Sequence, residues 1–260
     1  MDLELKGRRA LVTGGTRGIG LAIGRALAAE GAQVALLGRD SDRLGREAER
    51  ARIDTGSKVV ALAADTSDAA SIAAMFAQLR REIGEPEILV NAAASPSAYP
   101  GLSEEDLEHE IDVKVRGYLR LIRLCTPHMV ESGWGRIINI GGIGVRQSGS
   151  LVGSVRNAAV VAMTKNLADE LGPAGVNVTS LHPGWTRTER TPEVLAALGA
   201  ATNRSPDEVE QQRAATVSLG RLVTAEEVAH VAAFLASPRS VAINGDAIYV
   251  GGGVRGQIYY

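Results

Sequence analysis

The stretch Thr13-Gly14-Gly15-Thr16-Arg17-Gly18-Ile19-Gly20 restricts what this chain can fold into more than any other. It follows an apolar, β-branched run at 9–12 and opens an Ala-rich segment at 19–29 whose apolar residues recur three and four apart, so it reads as strand, tight turn and helix. Glycines at 14, 18 and 20 let the backbone turn sharply. They also bring amides to a helix N-terminus, where partial positive charge favours a pyrophosphate. A glycine-rich turn alone is a weak signal, because many turns use glycine. Its place between strand and helix makes it stronger.

The same alternation continues along the chain. Residues 34–37, 59–62, 88–90, 136–140, 176–181 and 247–250 read as further strands, with amphipathic helical segments such as 72–79 between them. Alternation of this kind predicts an α/β fold: a single doubly wound Rossmann-type domain over 1–260, with a mostly parallel sheet and helices on both faces. The 260 residues, 45% of them hydrophobic, suffice for one large core. Ser205-Pro206-Asp207-Glu208 and Thr224-Ala225-Glu226-Glu227 each place a hydroxyl at a helix N-cap with Glu three positions later. Residues 184–215 break the rhythm after strand six. Ligands of open α/β sheets bind outside the carboxyl ends of the strands, so this segment is expected to be a substrate lid.

Charge and composition exclude several partners. The formal net charge of -2, from 28 basic and 30 acidic residues spread along the chain, leaves no basic face for nucleic acid. Cys125 is the only cysteine, so an internal disulfide and Cys-rich zinc sites are ruled out; it reads as a small core hydrophobe in a reducing cytoplasm. The first residues lack a signal peptide's apolar region, and no apolar run approaches the ~20 residues of a membrane span, so a soluble cytoplasmic protein with no membrane partner is expected. His and carboxylate residues show no metal-ligand spacing, and there is no GxSxG elbow.

The TGxxxGxG spacing differs from the widespread GxGxxG and resembles that of the short-chain dehydrogenase/reductase family. Asp65-Thr66, Leu89-Val90-Asn91-Ala92, Pro183-Gly184 with Thr188, Ile243-Asn244-Gly245 and Val250-Gly251-Gly252-Gly253 are similar to further family segments, in order, over nearly the whole chain. The resemblance implies a nicotinamide dinucleotide on Gly14, Thr16, Arg17, Gly18, Ile19, Gly20, Arg39, Asp65, Thr66, Asn91, Pro183, Gly184 and Thr188, with Asp65 at the adenine. At the end of strand two an acidic residue would bond the ribose diol of NAD; Gly38-Arg39 stands there instead. Arg17 and Arg39 can bracket a 2′-phosphate, so NADP(H) is expected over NAD(H), although Asp40 follows directly and two solvated arginines would look the same.

The family's usual Asn, Ser, Tyr and Lys are all replaced. No YxxxK occurs anywhere; the helix Gly153-Ser154-Val155-Arg156-Asn157 puts Gly153 in the tyrosine's place and Asn157 in the lysine's. Gly142 stands at the serine, and Lys114 at the asparagine. The loop from 142 to 153 is a residue or two shorter than usual, leaving Ser148, Ser150 or Ser154 as alternative hydroxyls. Lys114 and Asn157 look exchanged; if they face each other, an ammonium survives at the site, and they are the catalytic candidates. The alternative is a solvated Lys114 and a chance reciprocity. Arg146, Ser148 and Trp185 are expected in the substrate pocket, with Gln147, Arg156, His182 and Arg187 near its mouth.

Three function classes stay open. One is an atypical oxidoreductase whose substrate, an imine, iminium or specialised carbonyl, needs no Tyr/Lys proton relay. Another is a non-redox isomerase, cyclase or lyase, and the third a silent subunit stabilising an active homologous partner. The expected partners are a small-molecule substrate and copies of the chain itself, as a homotetramer or homodimer through segments 102–131 and 153–171, the C-terminal strand and the tail Ile258-Tyr259-Tyr260.

Overall fold

Strand β1 (Arg9–Thr13) is buried from Ala10 to Thr13, because a parallel strand at the centre of a doubly wound sheet is covered on both faces. In the computed structural model, which describes residues 1–94, 103–256 and 258, it pairs with β2 (Gln33–Gly38) on one side and β4 (Ile88–Asn91) on the other. Beyond them lie β3 (Val59–Ala63), β5 (Gly135–Ile140), β6 (Val176–Pro183) and β9 (Ala247–Val250). Among the described residues the main sheet has seven strands, all parallel, in the order β3-β2-β1-β4-β5-β6-β9. The strand order reverses between β1 and β4, which opens a crevice at their carboxyl ends.

Helices α1 (Gly18–Ala29), α2 (Ser41–Thr55) and α9 (Ala225–Ala236) seal one face with Ile23, Leu27, Leu44, Val228 and Ala232. The other face is sealed by α3 (Ala69–Glu82), α5 (Gly117–Glu131) and α6 (Leu151–Leu171) through Ile72, Leu79, Leu121 and Val160. Cys125 lies fully buried in that second layer, where burial pushes its thiol pKa well up. Helix α4 (Glu104–Glu110) runs into a π-helical turn, Ile111–Arg116, before α5 begins.

All seven strands expected from the sequence are present, each within two residues of its expected ends. The segment 184–215 holds a two-residue strand β7 (Thr186–Arg187), α7 (Thr191–Thr202) and α8 (Pro206–Ala215); β7 pairs with β8 (Val223–Thr224). Both expected capping boxes form, with Ser205 and Thr224 accepting from the amides of Glu208 and Glu227. Among the described residues no helix is long and apolar enough to cross a membrane. Of the tail assigned to subunit contacts, Tyr259 and Tyr260 lie outside the described residues, as does Leu102.

Candidate functional site

A cleft of about 420 Å³ opens at the carboxyl ends of β1, β4, β5 and β6. Its wall includes Gly14, Thr16, Arg17, Ile19, Gly20, Arg39, Asp65, Thr66, Pro183, Gly184 and Thr188, so eleven of the thirteen expected dinucleotide residues meet there. The glycines are dictated by contact. A Cβ on Gly20 would lie 2.4 Å from the Gly14 carbonyl oxygen, and Gly14 itself sits at φ +68 against Ala92. Thr13 Oγ1 accepts from the amides of Ala92 and Ala93, both at 2.8 Å, which ties the ends of β1 and β4 together under the cleft.

Gly18, at the first turn of α1, points its amide at Glu189, whose two carboxylate oxygens lie 3.0 and 3.2 Å away. An anion from the segment after β7 thus sits where the helix N-terminus favours one. Arg43 reaches the same carboxylate at 3.5 Å. At the other side of this end, Asp65 Oδ1 accepts from the amide and hydroxyl of Ser67 at 2.9 and 2.7 Å. Burial works to raise the Asp65 pKa, but the Ser67 bonds and the charges of Arg39 and His109 outweigh it and the net shift is downward. The helix that follows is capped by Asp68, not by Asp65.

Asn91, of the expected dinucleotide set, is not among the residues that line the cleft. Its side chain is fully buried and donates to Asn139 Oδ1 at 2.9 Å, and Asn139 donates in turn to Thr164 Oγ1 at 3.1 Å. It serves this network between β4, β5 and α6 and does not line the cleft.

At the far end of the cleft Lys114 and Asn157 meet. Lys114, 3% exposed, donates to Asn157 Oδ1 at 3.0 Å and to the Gly141 carbonyl at 3.1 Å. The π turn sets Lys114 inward from between α4 and α5, and Asn157 presents from the first turns of α6. Burial pushes the Lys114 pKa down to about 7, helped by the charge of Arg156 and opposed by that of Glu110. Arg156 also lines the cleft and forms a buried ion pair with Glu110, which the sequence reading missed. The available signal was Glu110 four residues before Lys114, but the π turn sends the carboxylate to Arg156 instead. Glu189 was also missed; no motif singles it out.

Gly142 abuts this pair: a Cβ there would lie 3.0 Å from Asn157 Nδ2. His182 stands behind, fully buried, with Nε2 2.9 Å from Ser180 Oγ, Nδ1 against the Gly142 backbone and its ring stacked on Tyr249 at 5.1 Å. Burial pushes its pKa down to about 4 despite the Gly142 contact, so it is a neutral strand-end residue.

The three residues expected in the substrate pocket are not among those that line this cleft. Arg146 is exposed and stacks over Tyr249 at 4.3 Å, and Ser148 is exposed. Trp185 lies under Arg213 of α8 at 4.4 Å. The other hydroxyls are committed to structure: Ser150 caps α6 by accepting from the Gly153 amide, and Ser154 donates to the carbonyls of Gly144 and Gln147.

Comparison with known proteins agrees with this geometry. A family model described as Enoyl-(Acyl carrier protein) reductase matches residues 14–255. Oxidoreductase UcpA of Salmonella typhimurium is 32% identical over 96% of this chain and 95% of its own length. NADPH-dependent reductase BacG of Bacillus subtilis is 30% identical over 95% and 97%. Among solved structures, L-sorbose reductase from Gluconobacter frateurii, complexed with NADPH and L-sorbose, superposes with a TM-score of 0.92 at 28% identity, covering 99% of this chain and 100% of that one. The parallel sheet, the glycine turn and these relatives together place the chain in the short-chain dehydrogenase/reductase family of oxidoreductases.

Proposed function

We propose that the chain is an NADPH-dependent reductase of atypical mechanism, in which Lys114 takes over the electrostatic work of the missing tyrosine and lysine. The observation that carries this reading is the reciprocal contact of Lys114 Nζ with Asn157 Oδ1 at 3.0 Å, in the cleft that the family uses for its cofactor. The cleft fits a nicotinamide dinucleotide. Gly14 and Gly20 let the turn close more tightly than a Cβ at either position would allow, and the Glu189 carboxylate on the Gly18 amide stands in for an anion. Arg17 and Arg39 would hold the 2′-phosphate of NADP(H) in preference to NAD(H), Asp65 and Thr66 the adenine, and Pro183, Gly184 and Thr188 the nicotinamide end. When bound, the dinucleotide supplies a hydride.

The protein's part is electrostatic. Negative charge develops on a carbonyl oxygen as it is reduced, and an ammonium in a low-dielectric cleft stabilises it far better than water does. With a pKa of about 7, Lys114 is present near neutrality as both ammonium and amine, so it holds a proton at Nζ that it can also give up. Asn157 and the Gly141 carbonyl fix the direction of that proton donor. The segment 184–215, braced within itself by Trp185 under Arg213 and by the ion pair of Arg187 with Glu210, acts as the lid.

NADPH oxidation against a panel of imines and carbonyls, read with wild type and Lys114→Met, tests this. Lys114→Met is expected to lower kcat/KM by about 10²-fold while changing the NADPH Kd by less than about threefold. Arg39→Asp is expected to shift preference from NADPH toward NADH. Binding of NADPH without oxidation across the panel would remove the redox reading and leave a non-redox enzyme or a silent subunit.

A further inference from the structure

The nicotinamide end of the cleft carries more positive charge than a family tetrad requires. Lys114 and Arg156 both line it, and Asp65, the one carboxylate that lines the cleft among the described residues, lies at the other end beside Arg39. Glu110 neutralises one of the two cations through its pair with Arg156. With Lys114 protonated, one positive charge remains in excess among three largely buried side chains. Lys114 relieves that excess by giving up its proton, and an anion arriving at the cleft relieves it with the ammonium retained. The phosphates of a dinucleotide have their own partners in Arg17, Arg39 and the amides at the start of α1.

We propose that Arg156 is a specificity-determining residue, and that with Lys114 it receives the carboxylate of a short oxo acid, the substrate class of this cleft. The assignment rests on the reading of the cleft as an NADPH and substrate site. Lys114 and Arg156 both line this end of the cleft and the charge of Arg156 acts on Lys114, so the guanidinium and the ammonium belong to one surface. A guanidinium recognises a planar carboxylate with charge-assisted bonds, while the adjacent ammonium faces the oxygen being reduced. This surface distinguishes an oxo acid from its uncharged ester, which presents the same carbonyl without the anion.

Isothermal titration of the protein saturated with NADP⁺ tests this independently of turnover, using pyruvate, acetoacetate and benzoylformate beside their methyl esters. At least one acid is expected to bind about tenfold or more tightly than its ester, the gain of a charge-assisted contact. Arg156→Lys should keep part of that preference, and Arg156→Gln combined with Glu110→Gln, which avoids stranding a buried carboxylate, should abolish it. Equal binding, or no binding, of acid and ester across the panel overturns the proposal without any variant needing to fold. So does an acid preference that survives in the double variant. An acid that binds by this preference yet does not oxidise NADPH would leave the subsite standing and remove the reductase reading alone.

Discussion

Lys114 is an amine held where water cannot solvate it, and its titration is a consequence that stability measurements can read. Its folded pKa of about 7 lies below the ordinary 10.5, so between those values the unfolded chain binds a proton that the folded chain does not. The penalty of burying it is complete below about pH 7 and is relieved as pH rises through that window. The charged groups that set the value are Arg156 from α6 and Glu110 from α4; His182 from β6 feels Lys114 in turn. The melting midpoint of Lys114→Met relative to wild type should therefore be highest near about pH 6 and fall steadily toward about pH 9, at roughly 2–4 °C per kcal/mol. A difference independent of pH would mean that Lys114 titrates as an ordinary lysine. His182, pushed down to about 4, adds a loss of stability below about pH 6.5; the Lys114 charge is part of that downward push, so the comparison is cleanest above about pH 6.5.

Two connecting elements decide what the cleft admits. The first is the segment after β7, whose Glu189 carboxylate occupies the Gly18 amide where a pyrophosphate would sit. Glu189→Gln removes that competing charge and is expected to tighten NADPH binding by about two- to fivefold in equilibrium titration, the worth of a charge at a helix N-terminus. Unchanged or weaker binding would show that the contact does not compete. The second element is the shortened loop before α6. Its last residue, Ser150, caps the helix, and a Cβ on Gly153 would meet Ser150 Oγ at 2.8 Å. Restoring the family residues as Lys114→Asn, Gly142→Ser, Gly153→Tyr and Asn157→Lys should therefore give a protein without generic ketone reductase activity, because the tyrosine displaces the cap. Adding two residues to the 142–150 loop should be needed before NADPH oxidation with simple ketones appears. Activity in the plain quadruple variant would show that side chains alone were lost. The strands around these loops were legible in the sequence because buried parallel strands are continuous apolar runs. The meeting of Lys114 with Asn157 was legible too, through alignment to a helix motif. What the sequence concealed were directions: Asn91 turns into the sheet, Trp185 toward α8, and Glu110 toward Arg156, each set by packing partners distant in the chain. Strands β7 and β8, two residues each, are too short to carry any periodicity.

At the scale of the molecule, the sheet leaves β9 as an edge strand, and α6 leaves apolar side chains on its outer surface. Ile248 and Val250 on β9 are only partly buried, and an edge strand without blunting charges is a natural site for pairing. On α6, Leu151 and Val155 are 61% and 40% exposed, one helical turn apart on the same face. Exposed apolar residues in such a row are costly in a monomer, whereas a two-fold axis lets one patch cover itself. The helix face and the sheet edge lie on different sides of the core, so two isologous contacts used together build a tetramer and either alone builds a dimer. Light scattering after gel filtration, at about micromolar concentration where interfaces of standard size persist, is expected to give two or four times the chain mass. Leu151→Glu with Val155→Glu should halve that mass, since like charges brought together across a two-fold repel. A wild-type protein that elutes as a monomer would exclude both contacts, and an unchanged mass in the double variant would assign assembly to the β9 edge alone.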